Sequence, residues 1–191
     1  MKIEGNIERL RGRAAEEGLL DVAYARADSP FGPLLLAATP RGLVRVGLPA
    51  QDPDLVLEEL AARISPRVLE APAALDGPRR ELEDYFEGRR REFDLALDRQ
   101  LSAGFQLAVQ RQIGRIPFGK TRTYAEIARR AGNERAVRAA GTACGRNPLP
   151  LVVPCHRVLR SGGGLGGYAG GLAMKEALLA LEGALDESSR R

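Results

Sequence analysis

Three short apolar runs follow one another early in the chain, Val22 to Arg26, Leu34 to Ala38 and Leu43 to Leu48, and turn formers fill each gap. Ser29-Pro30-Phe31-Gly32-Pro33 separates the first two, and Thr39-Pro40-Arg41-Gly42 the second pair. Runs of this length bounded by Gly and Pro predict strands, and tight turns between consecutive strands predict an antiparallel meander. The period then changes. Val56, Leu57, Leu60, Ala61 and Ile64 fall at helical spacing over Asp54 to Ile64, which predicts a helix with one face on that sheet. Leu82, Tyr85 and Phe86 share a face of a second predicted helix, Pro78 to Phe86, stopped by Gly88. Phe93, Leu95 and Leu97 alternate with polar or small residues, the pattern of a further strand. The first half is thus expected to be a small α+β unit without a catalytic constellation of its own.

Polar residues from Asp98 to Ala103 mark a boundary, which places expected domains at 21–98 and 103–185. Phe105, Val109 and Ile113 recur every four residues in a helix that Gly114 ends. After the turn Ile116-Pro117-Phe118-Gly119-Lys120, Thr123 and Glu126 have capping-box spacing, so a helix is expected to start at Tyr124 and stop before Gly132. The next predicted helix, Glu134 to Cys144, is built almost wholly of small residues, with Arg135 and Arg138 three apart on one face. Two short helices joined by a Gly-containing turn make a helix-turn-helix candidate, whose second helix would enter a groove of a nucleic acid. A tightly packed core helix with two solvated arginines fits the same letters. A closing helix is predicted over Leu172 to Leu181, ended by Gly183. At the margins, residues 1–20 have the look of a variable charged lead-in, partly helical from Ala14 to Leu20, and 186–191 of a frayed tail.

Composition narrows the class. Hydrophobic residues make up 44% of the 191 and charged ones 28%, as in globular proteins. The start resembles no signal peptide and no later run reaches membrane-spanning length, so a cytoplasmic protein without membrane contact is expected. The net charge of +4 is unevenly spread. Residues 1–98 carry 14 Lys and Arg against 19 Asp and Glu, whereas 99–191 carry 15 against 6. A basic second half suggests a surface facing a polyanion, although an ordinary solvated surface gives the same count.

The chemistry concentrates between Asn147 and Tyr168. Three prolines among apolar residues bring an extended, non-helical chain to Cys155, followed at once by His156, the single histidine of the protein. A thiol needs to become a thiolate to react, and imidazole takes a proton near neutral pH, so Cys155 is the candidate nucleophile. Residue type alone also allows a small buried hydrophobe, or a disulfide with Cys144. Neighbours in an extended chain point to opposite faces, so the pair would need a turn or a bridging water to communicate. Cys144, Cys155 and His156 form no repeated ligand pair, which speaks against a metal site. Seven glycines between 161 and 171 lack the lysine of a phosphate loop and suggest a tight loop beside a ligand. Glu182 sits at a helix C-terminus, where the dipole disfavours a carboxylate; His156 is a candidate partner, and a solvated glutamate the alternative.

Pro154-Cys155-His156-Arg157-Val158, preceded by Asn147-Pro148 and followed by Gly167-Tyr168-Ala169-Gly170-Gly171 and Leu181-Glu182-Gly183, resembles the active-site signature of the O6-alkylguanine-DNA alkyltransferases, with the likeness running from about Phe105 to Gly183. The resemblance implies an α+β fold: a ribonuclease-H-like N-terminal domain with an antiparallel sheet, and a mainly helical, winged-helix-like C-terminal domain containing the helix-turn-helix. It implies direct repair of DNA, with irreversible, single-turnover transfer of a methyl or other alkyl group from O6-alkylguanine, and O4-alkylthymine as a further candidate, to Cys155 after base flipping. His156 would then be the base acting through a water, Glu182 its orienting carboxylate, and Asn147 the hinge to the helix-turn-helix. Tyr124 would turn a phosphate and donate to the base, and Arg138 would fill the vacated stack, with Arg135, Ala136 and Thr123 also against DNA. Pro150, Val158, Tyr168, Ala169, Gly170 and Cys144 would form the pocket. The implied partner is double-stranded DNA met through its minor groove by a monomer, with no cofactor. The zinc of some relatives has no ligands here, since the first half holds neither Cys nor His; Gln110 stands where the family often has tryptophan. A damage-sensing binding protein and a cysteine hydrolase are the rival readings, separable by whether Cys155 is consumed.

Overall fold

A computed structural model describes residues 21–185; the expectations for 1–20 and 186–191 lie outside them. Strands β1 (Val22–Ala27), β2 (Leu34–Thr39) and β3 (Gly42–Gly47) form the predicted antiparallel meander. Gly42 makes the second turn tight, with φ of +129°, a conformation that L side chains rarely adopt. Helix α1 (Pro53–Arg63) begins where Asp52 accepts a hydrogen bond from the Asp54 amide and Pro53 occupies the first turn. It buries Val56 and Leu60 with Val22, Leu35, Ala37 and Val44 on one face of the sheet.

Two corrections apply to this half. A strand absent from the sequence reading, β4 (Val68–Glu70), pairs parallel with β1, so the sheet order is β3-β2-β1-β4 and the sheet is mixed rather than wholly antiparallel. The strand expected around Phe93 to Leu97 reduces to a single bridge between Leu43 and Leu97, because Phe93 and Leu95 pack sideways onto the core instead of extending the sheet. Helix α2 (Asp76–Phe86) buries Leu82 and Tyr85.

The second half contains α3 (Gly104–Ile113), α4 (Tyr124–Arg130), α5 (Val137–Gly145) and α6 (Leu172–Leu181). Its short strands β5 (Arg122–Thr123) and β6 (Val158–Leu159) pair in parallel. The capping box forms as expected: the Thr123 hydroxyl accepts from the Glu126 amide at 3.2 Å and the Glu126 carboxylate from the Thr123 amide at 2.7 Å. Helix α5 starts at Val137, three residues later than expected, since the Ala136 amide bonds the Asn133 carbonyl and closes a separate turn first. Arg135 therefore lies in that turn and does not share a helix face with Arg138.

The two halves share one core. Leu34, Leu36, Leu43 and Val46 from the sheet, Leu48 just after β3, and Leu82 and Tyr85 from α2 pack with Val109, Ile113, Ile127, Leu149 and Leu178 from the second half. The joint is also hydrogen-bonded, the Val46 amide donating to the Pro148 carbonyl at 2.8 Å. The loop that leads to Cys155 is thus laid along the edge of the first sheet. No helix among the described residues is long and apolar enough to cross a membrane.

Candidate active site

Between α5 and Cys155 the chain turns instead of running extended as expected. The Val153 amide bonds the Leu149 carbonyl at 2.8 Å, and Leu151 takes a left-handed φ of 74° with its side chain fully buried. A buried leucine in this region is an outlier that the packing around it has to hold. Residues Cys155–Arg157 then form one turn of 3-10 helix. That turn, and not a strand, sets the relation between Cys155 and His156.

Asn147 ties the loop together. Its Nδ2 donates to the Val153 carbonyl at 2.7 Å and to Cys155 Sγ at 3.2 Å, while its Oδ1 accepts from the Leu149 amide at 3.1 Å. Cys155 is 4% exposed. Burial raises its pKa, while the Asn147 hydrogen bond and the positive charge of Lys175 act in the opposite direction. The resting group is a thiol beside a donor suited to its thiolate.

His156 is fully buried with Nε2 2.9 Å from Glu182 Oε1. Burial lowers its pKa and Glu182 opposes that shift. The neutral ring therefore carries its proton on Nε2, toward the carboxylate, and Nδ1 is a buried acceptor with no hydrogen-bond partner among the described residues. Burial alone would raise the pKa of Glu182. Hydrogen bonds from His156 and Arg157 outweigh it and hold the carboxyl at about 2. Arg157 donates from Nε to Oε2 and from Nη2 to Oε1, both at 2.8 Å. Tyr85, from α2 in the first half, donates its hydroxyl to Oε1 at 2.7 Å.

Sequence reasoning missed three of these residues. Arg157 stood inside the motif without a role. The sequence places Tyr85 only on a helix face, so the first half, expected to carry no catalytic constellation, reaches the site after all. Lys175 lies on the apolar face of α6, where a lone lysine between Met174 and Leu178 is a readable signal. Its Nζ donates to the Val158 carbonyl at 2.6 Å and to the Leu165 carbonyl, and burial lowers its pKa to about 8.

Tyr124, Arg138, Tyr168 and Ala169 line one opening, a cavity of about 570 Å³ between α5 and the glycine-rich loop. Tyr124 packs against Gly166, where φ is +68° and a Cβ would come within 3.0 Å of the ring. Burial, with the nearby Cys144 and Cys155, raises the Tyr124 pKa to about 12, so it stays a donor. Arg138 and Val137 are exposed at the start of α5, and Arg135 is exposed in the turn before it. Thr123 is the cap of α4 and Ala136 that of α5. Val158 and Pro150 are buried, Gly170 backs onto Met174 and Tyr168, and Cys144 is buried on α5 with its pKa raised to about 12 by burial.

Residues 22–99 match a family described as 6-O-methylguanine DNA methyltransferase, ribonuclease-like domain, and residues 104–184 one described as 6-O-methylguanine DNA methyltransferase, DNA binding domain. The chain belongs to the 6-O-methylguanine DNA methyltransferase family. A relative in Methanosarcina acetivorans named methylated-DNA–protein-cysteine methyltransferase is 41% identical, over 84% of this chain and 97% of that protein. One of the same name in Mycobacterium tuberculosis is 40% identical, over 84% of this chain and 92% of its own. The solved O6-methylguanine methyltransferase of Mycobacterium tuberculosis, 37% identical, superposes with a TM-score of 0.73 over 87% of this chain and 96% of that one. A structure from the same organism in complex with DNA gives 0.75 at 39% identity, over 85% and 93%. The α+β fold and the DNA-binding second half of this chain are those of the family.

Proposed function

We propose that this methyltransferase reverses alkylation damage by moving the alkyl group of O6-alkylguanine, with O4-alkylthymine a further candidate, onto Cys155. The observation that carries the reading is the buried chain of contacts from Glu182 through His156 to the loop in which Asn147 holds the Cys155 sulfur. His156 takes the thiol proton through a water at Nδ1, and Glu182 fixes the tautomer that leaves Nδ1 free. The thiolate forms a bond to the alkyl carbon as that carbon's bond to O6 breaks. The electron pair leaves with guanine, which takes up a proton. Tyr124, protonated at neutral pH, is the donor placed at the opening to meet that charge. A thioether is not cleaved by anything in the site, so each molecule acts once.

The alkyl carbon is out of reach inside a duplex, so the base is rotated out, at about a few kcal/mol. Arg138, exposed at the tip of a helix of small residues, occupies the vacated stack. Arg135, Ala136 and Thr123 adjoin the backbone, in the minor groove, and this phosphate-facing part of the affinity falls with salt. Pro150, Val158, Tyr168, Ala169, Gly170 and Cys144 enclose the extruded base. The protein works as a cytoplasmic monomer of two domains, 21–98 and 103–185.

Mixing equimolar protein with duplex DNA carrying one O6-methylguanine tests this by mass spectrometry. One added methyl on the Cys155 peptide, restored guanine and no reaction by Cys155→Ala are expected. Tight binding with no mass change would overturn the reading in favour of a damage sensor, and recovery of the free thiol with turnover in favour of a hydrolase.

A further inference from the structure

A second cleft of about 440 Å³ lies on the far side of the thiol loop, between β3 and α1 of the first half and the end of α5. Among the described residues its charged lining is Arg45, Arg63 and Arg146 against Glu59. Arg45 is 9% exposed, yet among the described residues its one ion pair, from Nη2 to Glu59 Oε2, is a long 3.5 Å and its Nε has no hydrogen-bond partner. Glu59 is engaged more closely by Arg63, at 2.7 Å. Burial disfavours the Arg45 charge and Arg63 adds to that, with Glu59 opposing. A buried guanidinium under-supplied with acceptors is costly unless an anion meets it.

One side chain, Asn147, joins the wall of the cleft to the reacting sulfur. Asn147, whose Nδ2 lies 3.2 Å from Cys155 Sγ, forms part of its wall together with Pro150. Ala169 and Gly145 line both this cleft and the opening beside Tyr124 and Arg138. Displacement at carbon requires sulfur, carbon and the leaving oxygen roughly in line, so whatever else that carbon carries projects sideways from the line. A methyl needs no such space. For a longer chain to reach the arginines it would pass Asn147, Pro150 and Ala169, which line the cleft.

We propose that this cleft is a subsite for O6-alkyl substituents that end in an anion, a carboxylate being the simplest. The inference rests on the alkyl-transfer reading above and names a substrate class for it. The chemistry at the reacting carbon is unchanged: the C–S bond forms, the C–O6 bond breaks, and guanine leaves with the electron pair and gains a proton. The terminal carboxylate takes no part in the reaction, and its hydrogen bonds to Arg45 and Arg146 position the chain. Glu59 opposes it.

Single-turnover transfer rates from duplexes carrying O6-methylguanine, O6-carboxypropylguanine and O6-carbamoylpropylguanine decide the matter, since the last two differ in charge and hardly in size. The carboxylate is expected to react about tenfold faster than the amide, the worth of one charge-assisted hydrogen bond in a partly desolvated site. Arg146→Ala and Arg45→Met are expected to erase that preference with methyl transfer kept, and Glu59→Gln to enlarge it. Should Arg45→Met lose methyl transfer through misfolding, exposed Arg146 and half-buried Glu59 carry the test. Equal rates for acid and amide in the unaltered protein, or a preference untouched by Arg146→Ala and Glu59→Gln, overturn the subsite while methyl transfer stands. No methyl transfer at all would instead overturn the function beneath it.

Discussion

Glu182 accepts hydrogen bonds from His156, Arg157 and Tyr85, and each donor draws on the same negative charge. Removing one donor leaves more of that charge to the others. In Tyr85→Phe the carboxylate attracts the His156 proton more strongly, so the His156 pKa rises. Since neutral His156 is the base, the acid limb of the transfer rate should move to higher pH, with DNA affinity unchanged. Single-turnover rates across pH measure this, and a superimposable profile would reduce Tyr85 to packing. At this scale the sequence disclosed the residues whose chemistry is unusual for their place: the one histidine next to a cysteine, and a carboxylate at the wrong helix end. It did not disclose Tyr85, 97 residues from Glu182, because an aromatic on an amphipathic helix needs no explanation beyond the core. Gln110 is a related case, fully buried with neither side-chain atom bonded among the described residues, which no local pattern signals.

Helix α4 has seven residues and supports Tyr124 at its first position, so its start cannot rest on length. The Thr123 and Glu126 reciprocal cap supplies what length does not. Thr123→Ala should cost about 1 kcal/mol of stability and weaken the damaged-DNA complex more than it slows transfer once bound. Thermal melting and separate binding and single-turnover measurements check both parts, and an unchanged affinity would show that the cap serves the fold alone. The cap was legible because its residues are three apart. So were the meander, α1 and α6, whose apolar periods are complete within one element. Strand β4 has only three residues, too few for a period, and is ordered by β1 beside it. The alternation at Phe93 to Leu97 satisfies the strand pattern, but those side chains pack against the shared core from the flank, with the Phe93 and Tyr85 ring centroids 5.3 Å apart.

At the scale of the whole molecule the shared core and the Tyr85–Glu182 contact join the halves into one cooperative unit, and acid should undo both together. His156 has a lowered folded pKa, so its contribution is complete above its unfolded value of about 6.5 and is lost as pH falls through the folded one. Glu182, held at about 2, contributes fully above an unfolded value of about 4.3 and loses that contribution on the way down to 2, a loss of about 3 kcal/mol. Stability should therefore begin to fall below about pH 6.5 and fall more steeply below about pH 4.3, with a single unfolding transition at every pH, and Glu182→Gln should remove the steepening. Calorimetry from pH 7 to pH 2 checks this; two separate transitions would show halves that fold apart.

The seating of the thiol loop on β3 has an effect unrelated to repair. An outer strand leaves a row of amides and carbonyls ready to pair with another chain. Here β3 is engaged by Pro148 on one stretch and by residues 96–98 on another, and the opposite edge, β4, is only three residues long. The sheet thus presents little template for edge-to-edge growth, and the loop that positions the nucleophile also protects the folded chain against aggregation.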